Sequence, residues 1–97
     1  MAQATYKMGP GKRGGYVAYV QVISPLLKER SGKWFVVTPE NQPALPDGKP
    51  QEFRTLWIAE RAARETALRL AGKVTEMEDA GKPAPPLPAI PARRRRR

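Results

Sequence analysis

Two apolar runs in the first half of the chain predict neighbouring β-strands. Tyr16–Ser24 (YVAYVQVIS) is dense in β-branched and aromatic residues, as a strand is. Both of its faces are largely apolar, which indicates a central strand covered on both sides, or one with a face exposed for binding. Lys33–Thr38 (KWFVVT) predicts a second strand, with Trp34 and Phe35 on opposite faces. We expect the two strands to pair as an antiparallel hairpin joined by a long basic loop.

The clearest periodic element is a helix from about residue 56 or 57 to about residue 80. Thr55 is its predicted N-cap, and Gly81 with Pro83 should end it. Residues of one stripe recur every three or four positions: Ala59, Ala63, Thr66, Ala67, Leu70, Val74 and Met77. Because this stripe is mostly alanine, we expect the helix to lie close against a sheet.

Two large apolar side chains of this helix lie off the stripe. Leu68 falls almost opposite the stripe, and Trp57 points well away from it. They are the candidate residues for self-association, which would make the protein a homodimer. A single exposed leucine is nevertheless ordinary, so a monomer remains open.

Proline and glycine mark the remaining segments. Residues 1–15 contain GPGKRGG and predict a flexible basic N-terminal arm. Residues 38–50 hold four prolines and predict a surface loop. Residues 51–55 are a candidate short third strand with Phe53 pointing inward. Residues 81–97 are rich in proline, end in five arginines and predict a disordered tail.

Together these elements predict an α+β fold. A two- or three-stranded antiparallel sheet would pack on one long C-terminal α-helix, with disordered termini. The expected division is a basic arm over residues 1–15, a single domain over residues 16–80 and a tail over residues 81–97. A chain of 97 residues has room for one domain, and its core must be small.

The charge distribution indicates a polyanionic partner. The chain has 18 Lys and Arg against 9 Asp and Glu, and without the five terminal arginines the count is still 13 against 9, or +4. Residues 1–33 carry six bases and one acid, so positive potential lies in the N-terminal half and at the far C-terminus. Nucleic acid, an anionic membrane surface and an acidic protein are the partners that such a chain suits.

Composition also limits the chemistry. The chain has no cysteine and no histidine, which removes disulfides, thiol catalysis and the commonest acid–base residue. We therefore expect no enzyme activity, cofactor, metal site or small-molecule substrate. GPGKRGG lacks the GxxxxGK[ST] pattern of a nucleotide-binding loop, and no predicted strand precedes it. Neither a secretory signal nor a membrane span is visible, so a cytoplasmic location is expected.

Bases alternate with aromatic residues in the N-terminal half, a pattern typical of nucleic-acid binding. Basic groups can contact phosphates while an aromatic ring stacks on a base or a sugar. Some aromatic residues must instead fill the core, and either Trp34 or Phe35 is expected there. The predicted binding residues are Lys12, Arg13, Tyr19, Lys28, Arg30, Lys33, Arg54, Arg93, Arg94, Arg95, Arg96 and Arg97.

The order strand, strand, short strand, helix resembles the arm-type DNA-binding domain of tyrosine recombinases. The resemblance rests on Gly32-Lys33-Trp34 at the start of the second strand and on Phe53-Arg54-Thr55 before an alanine-rich helix. In that family a three-stranded sheet enters the major groove and a helix braces its back. The resemblance implies groove-facing positions at Tyr19, Gln21, Lys33, Phe35 and Arg54.

The predicted function is non-catalytic binding of DNA or RNA, with DNA favoured, in an accessory or regulatory role. The alternative is a protein-interaction adaptor, in which PAPPLPAIPARRRRR docks on an aromatic groove or an acidic partner and the helix surface dimerises. Ribosome association through the basic tail is a third hypothesis.

Overall fold

A computed structural model describes residues 1–39 and 51–83 of the chain. Its elements are β1 (Gln3–Pro10), β2 (Tyr16–Ile23), a short 3₁₀ helix (Pro25–Arg30), β3 (Trp34–Val37) and α1 (Leu56–Ala80). The predicted α+β fold is confirmed: a three-stranded antiparallel sheet packs against one long helix. Most of the predicted surface loop (40–50) and of the predicted tail (84–97), with its five arginines, lies outside the described residues.

β2 is the central strand of the sheet, and it pairs antiparallel with β1 on one side and β3 on the other. The hairpin predicted between β2 and β3 is therefore confirmed. Phe35 lies opposite Val20 and is buried in the core, whereas Trp34 lies on the other face and is half-buried. The loop expected between these strands contains the short 3₁₀ helix, which buries Leu27 in the core.

The prediction of a flexible arm over residues 1–15 is wrong, because Gln3–Pro10 forms β1. All eight residues of β1 pair with β2, which would otherwise be an edge strand on this side. Ala4, Tyr6 and Met8 turn toward the core, and the residues between them turn to the other face, as the period of a strand requires. The glycines that indicated flexibility lie at the end of β1 and in the turn after it.

The predicted third strand over residues 51–55 is also wrong, since only Phe53 pairs with the sheet. Continued past Val37, the β2–β3 register would place Pro39 opposite Tyr16. Proline has no N–H to donate, so Pro39 could not complete this pair. Phe53 takes the place instead: its N–H donates to the Tyr16 carbonyl at 2.8 Å, and the Tyr16 N–H donates to the Phe53 carbonyl at 2.9 Å. The chain thus returns to the line of β3 before α1 begins.

The boundaries and caps predicted for α1 are confirmed. The Thr55 side chain accepts a hydrogen bond from the Ile58 N–H, and Gly81 ends the helix in the left-handed conformation. The predicted stripe faces the sheet, and its buried members are Ala59, Ala63, Ala67, Leu70 and Val74. From the first to the last of these the helix rises about 22 Å, which is close to the length of an eight-residue strand, and the residues before Ala59 in the first turn are exposed.

The C-terminal end of α1 is hydrogen-bonded to the first two residues of the chain and to Ser24, which directly follows β2. Glu78 accepts hydrogen bonds from the Ser24 hydroxyl and from the Met1 amine, the latter at 3.2 Å. The Ala2 N–H donates to Thr75 Oγ1 at 3.1 Å. The Ser24 hydroxyl lowers the pKa of the Glu78 carboxyl; partial desolvation opposes this effect and the Met1 amine reinforces it. These donors offset the unfavourable position of a negative charge at a helix C-terminus.

Candidate nucleic-acid interface

The sheet face opposite α1 carries polar and aromatic side chains, and we call it the open face. By register it consists of Gln3, Thr5, Lys7, Gly9, Val17, Tyr19, Gln21, Ile23, Trp34 and Val36. Val17 is the buried member of this set, and the other residues are half-buried or exposed. The described helices pack their buried residues into the opposite face. None of these ten described residues has a carboxylate.

Lys7 belongs to the edge strand β1, and its side chain places the ammonium over two aromatic rings of the open face. Its Nζ is 4.3 Å from the centroid of the Trp34 ring and 5.6 Å from that of Tyr19. A cation at these distances is attracted to the ring faces by about 0.5–1 kcal/mol when exposed. The rings therefore hold the ammonium over the middle of the sheet, while its N–H groups stay accessible to an anion.

A hydrogen-bonded chain fixes the neighbouring part of this face. Thr5 Oγ1 donates to Gln21 Oε1 at 3.0 Å, and Gln21 Nε2 donates to the Gly32 carbonyl at 2.7 Å. Gln21 pairs with Trp34 in the register of β2 and β3, so these hydrogen bonds fix a polar amide on the strand next to the ring.

Three of the predicted binding residues gather at one end of the sheet, which we call the near end. Lys12 and Arg13 lie in the turn between β1 and β2, and Arg54 follows the Tyr16–Phe53 pair. All three bases are exposed. The pairing of Tyr16 with Phe53 brings two segments that are distant in sequence to the same place.

Three others gather at the opposite or far end of the sheet. Lys28 and Arg30 belong to the 3₁₀ helix, and Lys33 directly precedes β3. Lys28 has φ 54°, which is rare outside glycine and strains the backbone. Seven residue steps along β2 separate the ends by about 23 Å. The predicted residues thus form two groups, and Lys7 lies between them.

The groove-facing set implied by the recombinase resemblance does not share one face. Tyr19 and Gln21 lie on the open face, but Phe35 is 6% exposed and belongs to the core, so its assignment is wrong. Lys33 lies at the far end and Arg54 at the near end. The alternation of side chains along β3 explains why Phe35 is buried, because Phe35 faces the same side of the sheet as Val20.

Lys7 and Trp34, whose side chains meet on the open face, are not among the predicted binding residues. The predicted flexible arm includes Lys7, although the alternation from Gln3 to Met8 is a signal that indicates a strand. The alternation of the second strand puts Trp34 and Phe35 on opposite faces, but the sequence does not tell which of the two fills the core. The long-range pairing of β1 with β2 brings Lys7 to these rings.

The candidate self-association residues are exposed on α1. Trp57 is 61% and Leu68 70% exposed. Eleven residues are about three helical turns, so both lie on the same side, with Arg61 and Arg64 between them. An antiparallel pair of helices that placed Trp57 on Leu68 of a second copy would set Arg61 opposite Arg64, which is unfavourable.

The carboxylates of the described residues lie away from the open face. Five of them are on α1: Glu60, Glu65, Glu76, Glu78 and Asp79. The other two, Glu29 and Glu52, lie at the far and near ends respectively. This separation of charge leaves the open face and its two ends as the positive side of the sheet.

No family model, curated protein or solved structure matches this chain. Among residues 1–39 and 51–83, no group of three acidic side chains is placed to hold a metal ion. In the same part of the chain, α1 and the short helix do not have the length and apolar character needed to cross a membrane.

Proposed function

We propose that this protein is a small, non-catalytic nucleic-acid-binding protein that lays its open face against duplex DNA. The observation that carries the proposal is the Lys7 ammonium held between Tyr19 and Trp34, on a face without carboxylates and with a basic group at each end. The bases would contact phosphates, and the two rings would contact sugars or base edges.

The spacing of the basic groups supports a polymeric ligand. The near and far ends are about 23 Å apart, and duplex DNA carries one negative charge per roughly 1.7 Å of its axis. A single small anion can reach only one end, whereas a duplex presents phosphates to both ends and to Lys7 at once. Phosphate contacts of this kind supply most of the affinity in a salt-dependent manner.

The shape of the major groove favours DNA over RNA as the ligand of a sheet face. The major groove of B-form DNA is about 12 Å wide, while that of A-form RNA is deep and narrow. A twisted three-stranded sheet therefore suits the DNA groove better. We propose an accessory or regulatory role in the cytoplasm, a reducing compartment that a cysteine-free chain suits.

A salt series with a random-sequence DNA duplex tests this function. Three full-length proteins are compared: wild type, a variant with Arg93–Arg97 changed to glutamine, and a variant with Lys7, Lys12 and Lys33 changed to glutamine. If six or seven bases of the described residues contact phosphates, the tail variant should keep a slope of log K against log salt of about −5 to −6. The lysine variant should lose about three from the wild-type slope.

Two results would contradict the proposal. Binding that disappears with the five arginines, while the lysine variant binds like wild type, would mean that the tail acts alone. Absence of binding by wild type at low salt would exclude the proposed function altogether.

The second candidate function is a protein-interaction adaptor that dimerises through α1. The exposure of Trp57 and Leu68 favours it, and the two arginines between them oppose it. Sedimentation velocity over a range of concentrations separates the two cases. A wild-type dimer that Leu68→Glu converts to a monomer would support the adaptor, and a monomer throughout would exclude self-association by this surface.

A further inference from the structure

The turn between β1 and β2 wraps its backbone around a carboxylate of the same chain. Glu52 Oε1 accepts a hydrogen bond from the Gly15 N–H at 2.9 Å, and Oε2 accepts one from the Arg13 N–H at 3.2 Å. The turn itself is closed by the Gly11 N–H, which donates to the Gly15 carbonyl at 2.8 Å. Two main-chain donors thus converge on one anionic group, as in the backbone nests that bind phosphate.

The glycines of the turn permit this close approach. A Cβ on Gly11 would overlap the Glu52 carboxyl group, and a Cβ on Gly15 would lie 2.6 Å from the Phe53 carbonyl oxygen. Only residues without a side chain can bring the backbone so near to the anion. The GPGKRGG segment therefore holds a carboxylate with two main-chain N–H groups, although it lacks the sequence pattern of a nucleotide-binding loop.

The bases around this turn form no ion pair with Glu52 in the described part of the chain. Among the described residues the ion pairs join other groups, and none of them includes Lys12, Arg13 or Arg54. The three bases and Glu52 together carry a charge of +2. Arg13 and Arg54 also line a cleft at this turn together with Glu52. A second anion approaching this cleft meets a positive rim and two N–H groups that already bind an oxyanion.

We propose that the Gly11–Gly15 turn is an oxyanion site whose present occupant is the Glu52 carboxylate, and that a phosphate of bound nucleic acid displaces it. This inference rests on the proposed function, because it assigns one backbone phosphate to a defined place at the near end. The phosphate would accept the Arg13 and Gly15 N–H bonds and pair with the three bases. Glu52 would then act as an internal competitor that weakens phosphate binding until a duplex engages the rest of the face.

The proposal is tested by removing the Glu52 carboxylate and measuring the binding of inorganic phosphate and of a DNA duplex. The full chain is compared with Glu52→Ala and with Glu29→Ala, an exposed acid beside the far-end bases that makes the same charge change. In Glu52→Ala, phosphate should shift the Arg13 and Gly15 amide signals in NMR spectra more than in wild type. Duplex affinity should rise about tenfold above that of Glu29→Ala, because a charged hydrogen-bonding site becomes free.

The opposite results would overturn the site. Absence of phosphate-induced shifts at these amides, or a duplex affinity no higher than that of Glu29→Ala, would show that Glu52 only braces the turn. If the NMR spectrum of Glu52→Ala lacks the signals of the folded sheet, the experiment uses Glu52→Gln instead. The side-chain carbonyl oxygen of the glutamine can still accept one hydrogen bond from the turn. Glu52→Gln should then bind the duplex about threefold more tightly than Glu29→Gln, and equal or weaker binding would overturn the proposal.

The two proposals fail separately. Phosphate shifts in the turn without duplex binding by any protein would keep an oxyanion site in the turn, but would exclude the proposed function and, with it, nucleic acid as the source of the phosphate. Duplex binding that is indifferent to Glu52 would keep the function and exclude the site.

Discussion

The two faces of the sheet are built from the same three strands, but their side chains serve different purposes. On the face covered by α1, small apolar residues such as Ala18, Val20 and Val22 are at most 1% exposed. On the open face, Lys7 and Trp34 contact one another and remain partly accessible to solvent. Strand alternation separates the two sets, so one stretch of chain can supply both core and surface.

β3 shows the contrast most directly. Trp34 and Phe35 are adjacent in sequence, yet Phe35 packs beside the core residue Val20 while Trp34 receives the Lys7 ammonium. Substitution of one should change stability, and substitution of the other should change binding. Variants at these two positions therefore test whether the faces are independent.

The largest effect is expected from Phe35→Ala. Loss of a buried phenyl ring typically costs about 3–5 kcal/mol, a large part of the stability of a domain this small. Urea denaturation followed by circular dichroism should show a much lower midpoint or no folded baseline. A midpoint close to that of wild type would mean that Phe35 does not belong to the core.

Trp34→Ala should leave the fold intact and weaken DNA binding. Truncation of a large aromatic contact in a binding interface typically costs about 2 kcal/mol, or roughly 30-fold in affinity, whereas the urea midpoint should change little. Trp57→Ala is the matched control, because Trp57 is the other tryptophan and lies exposed on α1. Equal losses of affinity in the two variants would contradict the role of the open face.

Lys7→Met should have a smaller effect that depends on salt. The substitution keeps an apolar stem between the rings but removes one phosphate contact, so the salt slope should fall by about one. Lys73→Met, which removes an exposed lysine from α1, controls for the change in net charge. The assignment of Lys7 would fail if both variants reduced the slope equally.

The smallest effect is expected in the stability of the fold at acid pH, to which Glu78 at the C-terminal end of α1 contributes. The Ser24 hydroxyl, assisted by the Met1 amine, holds the pKa of Glu78 below its usual value of 4.5. A carboxyl whose pKa is lower in the folded state adds stability above its unfolded pKa and loses it as the pH falls through the folded pKa. The urea midpoint of wild type should therefore fall below about pH 4.5, and Glu78→Gln should flatten part of this fall.

Glu76→Gln is the control for this pH dependence, since Glu76 is an exposed acid two residues away on the same helix. The same flattening in both variants would show that general repulsion among charges, and not the Ser24 contact, governs acid stability.

The elements predicted correctly are those with local signals. Thr55 and Gly81 cap α1 with groups from its own ends, and its alanine stripe faces the sheet as its period requires. β2 and β3 are marked by their β-branched and aromatic residues. In each case the information lies within a few residues of the element itself.

The errors arose where the structure depends on distant pairing. β1 needs β2 as a partner, and the glycines and prolines after Met8 obscured its alternation. Phe53 pairs with Tyr16 because Pro39 cannot, which no pattern within residues 51–55 could indicate. For the same reason the sequence predicted separate basic residues, but not the contact of Lys7 with the two rings or the turn around Glu52.

The return of the chain to Tyr16 has a consequence for protein engineering. Val37 pairs with Ala18 and Phe53 with Tyr16, so the chain leaves β2 and returns to it two residues further along the same edge. The entropy of closing a loop grows slowly, by about 0.6 kcal/mol for each doubling of its length. Because residues 39 and 51 border an edge that β2 already fixes, we expect that an epitope tag inserted between them leaves the hairpin and the helix folded.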